Sequence, residues 1–326
     1  MMSQVQEPKT LQEAILYFSD ADRCLDYLAL RRWPDGMPIC PVCGRKDAKF
    51  LANQRKWQCK SVHHHRQFSV KVGSIFEDSP IPLQKWLPAV WVIVNCKNGI
   101  SSYELHRALG VTQKTAWFML HRIRLAMQSG SIEKFSGRVE ADETYIGAKA
   151  RFMHKNKRTG KTGMVGKTAV LGLLERGTEG ASRVRCKVLK RTRVSDLDPA
   201  IRENVEKGAE VMTDKLSSYY KLSDEYVHQV IDHAVSYAEG HVHTNGLENF
   251  WSLLKRGIRG TYVNVEPFHL FRYLDEQAFR FNERKDNDAG RFVKAVAGVL
   301  GKGLRYSSLI GKKSGDGLPP QTAGAW

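Results

Sequence analysis

Near the start of the chain, Leu11, Ala14, Ile15 and Phe18 recur at helical spacing. They predict a helical lead-in over residues 1–36, ended by the turn residues Arg32-Trp33-Pro34-Asp35-Gly36. From 37 to 77 the apolar runs become short and strand-like, and Phe50, Leu51 and Trp57 could supply a hairpin. Helical spacing returns over 78–130. Pro80 and Pro82 stand where a helix can begin. Ser101 is placed to cap a helix whose apolar face is Leu105, Ala108 and Leu109. Gly110-Val111-Thr112 makes a short turn, and a further helix runs from Gln113 to Met127 on a stripe of Ala116, Leu120, Ile123 and Met127. Two helices joined by a short Gly-containing turn predict a helix-turn-helix.

Ser129-Gly130-Ser131 and Ser136-Gly137 flank a linker, and the pattern beyond it is mixed. Strands are expected over Arg138–Ile146, Thr168–Leu174, Arg183–Leu189, Ala209–Thr213 and Val227–Asp232. Helices are expected over Asp196–Lys207, Leu247–Leu254 and Leu270–Phe281. Strands followed by strand–helix alternation predict an α/β domain over 136–285 built on one central mixed sheet. Residues 286–326, rich in Gly, Lys and Ser, read as a basic flexible tail.

The 326 residues carry a formal net charge of +17, which points to a polyanionic partner because Lys and Arg on phosphates release counterions. The longest apolar run, Leu87 to Cys96, is about half of the ~20 residues a membrane span needs, so a soluble, cytoplasmic protein with no membrane partner is expected. Of six cysteines, Cys40 and Cys43 form a Cys-x-x-Cys knuckle with Gly44 for the turn, and Cys59 follows with His63, His64 and His65 close behind. One of these histidines would complete a Cys₃His site for a structural Zn²⁺ ion. The spacing is not that of a secreted disulfide framework.

Three acids stand at places where an α/β sheet gathers ligands. Asp142 is in the first strand of the domain, Asp214 ends a later strand, and Glu248 begins a helix. Carboxylates suit Mg²⁺ or Mn²⁺, and two such ions could serve both oxygens of a phosphodiester displacement. Glu140, two residues before Asp142, shares its face and is its nearest rival, whereas Glu143 points to the opposite face. Glu248 and Lys255 are seven residues apart and project from one helix face. On the helix after Gly110, Gln113, Lys114, Arg122 and Arg124 are candidate DNA contacts, with Arg256 a further one.

Val139-Glu140-Ala141-Asp142-Glu143-Thr144-Tyr145-Ile146-Gly147, Thr213-Asp214 and the stretch from His243-Thr244-Asn245 to Lys255-Arg256-Gly257 resemble the DDE-type transposases of bacterial insertion sequences. The closer similarity is to the group with an N-terminal zinc ribbon and a lysine after the third acid. Gln67-Phe68-Ser69, Gly73-Ser74-Ile75-Phe76, Tyr273-Leu274-Asp275-Glu276 and Arg280-Phe281-Asn282-Glu283-Arg284 extend it over residues 15–285. The resemblance implies an RNase H-like catalytic domain in a multidomain chain, with Asp142, Asp214 and Glu248 as metal ligands and Lys255 as the accompanying basic residue. Asn245 is an alternative third position. Aligned on Gln67, the group's fourth ribbon cysteine falls on His64, with two extra residues after Cys59.

The implied partners are transposon inverted repeats and target DNA, and the implied assembly is a homodimer or larger. Two other readings use the same residues: an RNase H-like nuclease that cuts without joining, and a zinc-ribbon regulator with an inactive catalytic domain.

Overall fold

A computed structural model describes residues 7–128, 133–147, 166–177, 182–214, 219, 224–231 and 244–311. The expected linker at Ser129-Gly130-Ser131, Asp232, His243 and the chain beyond 311 lie outside the described residues. The chain divides into two compact units. Among the described residues, one joins those up to 128 to 286–311; the other holds those from 133 to 285.

The first unit opens with α1 (Leu11–Tyr17) and α2 (Ala21–Arg32), each capped by a side chain, Thr10 and Asp20. Of the lead-in stripe, Ala14 and Phe18 are buried and Leu11 and Ile15 are exposed. Strands β1 (Lys49–Leu51), β2 (Lys56–Gln58) and β3 (Gln67–Phe68) form a small antiparallel sheet with Phe50 opposite Trp57. Trp33 packs edge-on against Trp57, tying α2 to this ribbon.

Helices α3 (Leu83–Asn95), α4 (Ser102–Leu109) and α5 (Gln113–Ala126) follow. Ser101 and Glu104 make a reciprocal capping box on α4, and Gly110 ends it in the left-handed conformation.

Residues 286–311 correct the expectation of a flexible tail. Helix α9 (Asp288–Ala297) returns to the first unit and buries Phe292, Ala295 and Val296. The Phe292 ring meets Phe18, Tyr27 and Trp91 at centroid distances of 5.6, 5.9 and 5.1 Å. A short helix, α10 (Tyr306–Leu309), then buries Leu309 beside Leu125. The Gly, Lys and Ser content of the segment hid a short apolar stripe at helical spacing.

The second unit is a five-stranded mixed sheet in the order β6-β5-β4-β7-β8. Its strands are β4 (Arg138–Ile146), β5 (Thr168–Arg176), β6 (Arg183–Leu189), β7 (Glu210–Asp214) and β8 (Val227–Ile231). Strands β4, β5 and β6 are antiparallel neighbours, while β7 and β8 run parallel to β4. Alternation along β4 separates two cores. Val139, Ala141 and Tyr145 face a cluster with α6 (Val194–Asn204). Ile146 faces a second cluster with α7 (Asn245–Gly257) and α8 (Leu270–Asn282). The sheet is thus covered on both faces, as a largely apolar β5 requires.

Candidate active site and zinc site

Strand β4 carries the candidate acids on its α7 side. Its parallel pairing with β7 ends at Ala141 opposite Thr213, so Asp142 and Asp214 are the next residues on two adjacent strands. Helix α7 is fastened to the same strand at two points. The Leu247 N–H donates to Glu140 Oε2 at 2.9 Å, and Trp251 Nε1–H donates to Asp142 Oδ2 at 2.9 Å. Four helical residues rise about 6 Å and two strand residues about 7 Å, so these contacts hold α7 in step with β4. Glu248 follows the first anchor and Lys255 lies one turn beyond the second.

Two glycines permit the close approach. A Cβ on Gly172, which stands opposite Asp142 in β5, would lie 2.5 Å from Trp251 Cζ2. A Cβ on Gly246 would lie 2.8 Å from Glu140 Oε2. Each therefore admits a neighbour that any other residue would exclude.

Asp142 also accepts the Glu143 N–H at 2.8 Å. Burial pushes its carboxyl up to about 6. The Trp251 and Glu143 donors oppose that shift, and the charges of Asp214 and Glu248 reinforce it. Asp214 and Glu248 are therefore both within electrostatic reach of Asp142. Burial is also the main cause of the lowered pKa of Lys255; nearby Arg259 and Lys167 add to it and Asp142 opposes it. Asp214 Oδ1 is buried and accepts no hydrogen bond among the described residues. A buried Asp142 with two further acids near it, and a buried Asp214 oxygen that accepts no hydrogen bond among the described residues, fit a hard divalent cation. Glu248 is exposed at the first turn of α7, as is Asn245 at its start.

Glu140 takes a different part. Its buried carboxylate pairs with Arg176 at 2.7 Å and accepts the Leu247 N–H in the first turn of α7, a brace rather than an open ligand. Glu143 lies on the other face, where the buried Tyr219 hydroxyl donates to it. Burial first, opposed by that hydrogen bond and reinforced by Asp142 and Asp214, raises Glu143 to about 7. Trp251, Gly172 and the Glu140–Arg176 brace were not singled out from sequence. The available signal was a glycine in the middle of an apolar strand, which marks close packing.

In the ribbon, the ligand atoms of Cys40, Cys43, Cys59 and His63 lie within 4.8 Å of one another. Cys43 Sγ and Cys59 Sγ are 3.5 Å apart, as are Cys40 Sγ and His63 Nε2. A tetrahedron with zinc bonds of 2.0–2.3 Å has edges of about 3.5–3.8 Å, so the group fits a structural zinc. The side chain that joins the three thiols is His63 and not the expected His64, which is exposed. The two extra residues form a loop closed by the Cys59 N–H to Arg66 O bond, with His65 in the left-handed region. His63 Nδ1 is 2.6 Å from the His64 carbonyl, so the tautomer donating there leaves Nε2 facing the thiols.

The candidate DNA contacts divide. Arg122 and Arg124 are buried inside the first unit, which corrects their assignment to a DNA-facing surface. Arg122 donates to the carbonyls of Leu304 and Glu77. Gln113 donates to Ser102 Oγ at 2.8 Å, while Lys114 and Arg256 are exposed. The sequence stripe of α5 did not reveal that α9 and α10 cover its last turns.

A zinc ribbon followed by a mixed sheet that gathers acids on adjacent strands is the organisation of a transposase. A family model described as the ISXO2-like transposase domain matches residues 134–282, and one described as the transposase zinc-ribbon domain matches residues 19–65. An uncharacterized protein in transposable element ISH50 of Halobacterium salinarum is 26% identical over 272 residues, covering 79% of this chain and 89% of that protein. An uncharacterized transposase-like protein of Haemophilus influenzae is 35% identical over 132 residues, covering 39% of this chain and 100% of that protein. No solved structure matches. The chain belongs to the IS1595 family of zinc-ribbon DDE transposases. No helix among the described residues is long and apolar enough to cross a membrane.

Proposed function

We propose that the protein cleaves phosphodiester bonds at transposon ends to free 3′-hydroxyls and joins those ends to target DNA, with Asp142, Asp214 and Glu248 as ligands for two divalent cations. The observation that carries this is the juxtaposition of Asp142 and Asp214 on adjacent parallel strands, with α7 locked to Asp142 through Trp251. Three antiparallel strands followed by two parallel to the first also agree with an RNase H-like domain. When bound, Mg²⁺ or Mn²⁺ would stabilise the attacking and leaving oxygens of an in-line displacement.

The chain's own groups prepare that chemistry. The Trp251 N–H and the Glu143 N–H fix both oxygens of Asp142. Lys255, partly buried on the same helix as Glu248, offers its ammonium to a phosphate oxygen. The ribbon and the α4–α5 pair bind the terminal inverted repeats, with Lys114 and Gln113 at the start of α5 nearest the bases. The protein works in the cytoplasm as a dimer or larger assembly on paired ends. The net charge of +17 supports a DNA partner.

The test is strand transfer of a labelled, pre-cleaved transposon end into plasmid DNA with Mg²⁺. Wild type joins the DNA and Asp214→Ala does not. Cutting without joining would replace this reading with a nuclease, and end-specific binding without reaction would replace it with a regulator.

A further inference from the structure

We propose that an open cavity at the end of strands β4, β5 and β6 is a groove for the phosphates of the DNA strand that leads into the candidate active site; this rests on the transposase reading above. The cavity measures about 420 Å³ and is lined by Tyr145, Lys167, Lys190, Arg191, Thr192 and Arg193, with Ala169 and Leu189 as an apolar floor. Four cations face it and no carboxylate lines it. Among the described residues, none of these four is ion-paired, although most other basic side chains of the sheet are, such as Arg138 with Glu210 and Arg183 with Glu175. Cations gathered without counter-charges repel one another, and a polyanion relieves that repulsion.

The hydroxyls of Tyr145 and Thr192 are 2.9 Å apart and add polar atoms to the rim. Because the cavity is open on one side, it suits a passing phosphodiester chain better than an enclosed small molecule.

Its position ties it to the reaction. Tyr145 is three residues along β4 from Asp142, about 10 Å, which is about three steps of duplex rise. Asp214 ends β7, which runs parallel to β4, and Asp142 is on the opposite face of β4 from Tyr145, so a strand leaving the cavity reaches the acids around the end of β4. Lys167, on the cavity wall, is close enough to Lys255 to affect its charge, and Lys255 in turn feels Asp142. A strand crossing the end of β4 would thus meet Arg193, Arg191 and Lys190, then Lys167 and Lys255, before the acids.

The experiment measures duplex binding by the full-length protein across a salt series. Arg191→Gln/Arg193→Gln is compared with Arg138→Gln/Lys207→Gln, which removes the same charge from the other end of the sheet, where both cations are paired with acids. The cavity variant is expected to bind about tenfold more weakly and to flatten the slope of log K against log salt by about 2, close to 0.9 per lost phosphate contact. The paired-charge control keeps the wild-type slope. Arg191→Lys/Arg193→Lys, which keeps both charges, restores it. Equal slopes for the cavity variant and the control overturn the groove. Strand joining by wild type is scored on the same preparations. Its absence with binding and slopes as expected would sink the transposase reading and leave the groove standing as a DNA site.

Discussion

Trp251 Nε1–H donates to Asp142 Oδ2 at 2.9 Å, across a strand position where Gly172 leaves room for the indole. A tryptophan on the buried face of a helix reads from sequence as core, and most of this indole is core. Its one polar atom nevertheless orients an acid of the candidate site. Trp251→Phe keeps most of the packing and removes the donor. The Mg²⁺ concentration for half-maximal strand joining should rise about tenfold, as for other groups that orient metal ligands. An unchanged Mg²⁺ requirement would mean that the indole only packs. Gly172→Ala should destabilise the protein by roughly 1–3 kcal/mol by forcing the indole away, read as a lower melting temperature and shifted tryptophan fluorescence.

The raised carboxyl of Asp142 fixes the sign of a pH effect. Its folded value of about 6 lies above the usual 3.8, so between these values the folded state holds more proton than the unfolded one. This contribution to stability is present at low pH and is lost as pH rises through about 6. A divalent cation competes with that proton and offsets the loss. Mg²⁺ or Mn²⁺ should therefore raise the melting temperature more at pH 7.5 than at pH 5. Asp142→Asn should abolish most of the difference. Thermal melts with and without metal at the two pH values decide this, and an equal gain at both counts against Asp142 as a ligand.

Glu140 and Asp214 should separate structure from chemistry. Glu140→Ala removes the buried carboxylate that pairs with Arg176 and accepts the Leu247 N–H, a loss of about 3–5 kcal/mol. Folding and joining should fail together. Asp214→Asn removes a charge but leaves the strand intact, so joining should be lost while the melting temperature stays within a few degrees. If Glu140→Ala were fully folded and inactive, Glu140 would become the better candidate for the ligand.

The ribbon gives a direct count of metal. His63→Ala should reduce bound zinc from about one per chain to a small fraction, whereas His64→Ala should leave it near one, since structural zinc sites use four ligands. Zinc released to a chromogenic chelator measures both. Retention by His63→Ala together with loss by His64→Ala would restore the alignment-based choice.

The sheet was legible because period-2 and period-3.6 patterns are local: β4, β6 and α8 fall where the alternation places them to within a residue. That Asp214 ends a strand and Glu248 begins a helix could be read along the chain, whereas the juxtaposition of Asp142 with Asp214 comes from the pairing of β4 with β7. What was hidden depends on long-range packing. The Trp251–Asp142 bond spans 109 residues, and Glu140 meets Leu247 from 107 residues away. The choice among three adjacent histidines turned on the left-handed backbone at His65, which no composition or spacing signals.

Arg122 shows the same limit in the first unit. On a helical wheel it sits with the basic residues of α5, yet it is buried and donates to the Leu304 and Glu77 carbonyls at 3.1 and 2.7 Å. One of those acceptors belongs to the segment after residue 285, so the guanidinium fastens the returning chain end to α5. Arg122→Ala should remove the donor to one buried and one part-buried carbonyl and cost about 2–3 kcal/mol, the range for hydrogen bonds to a charged group. It should lower the melting temperature without changing the salt slope of DNA binding, because a buried cation makes no phosphate contact. Lys114→Ala, at an exposed position, should do the reverse and flatten that slope by about 1 with little effect on stability. A fall in slope for Arg122→Ala with the melting temperature unchanged would return this arginine to the DNA surface.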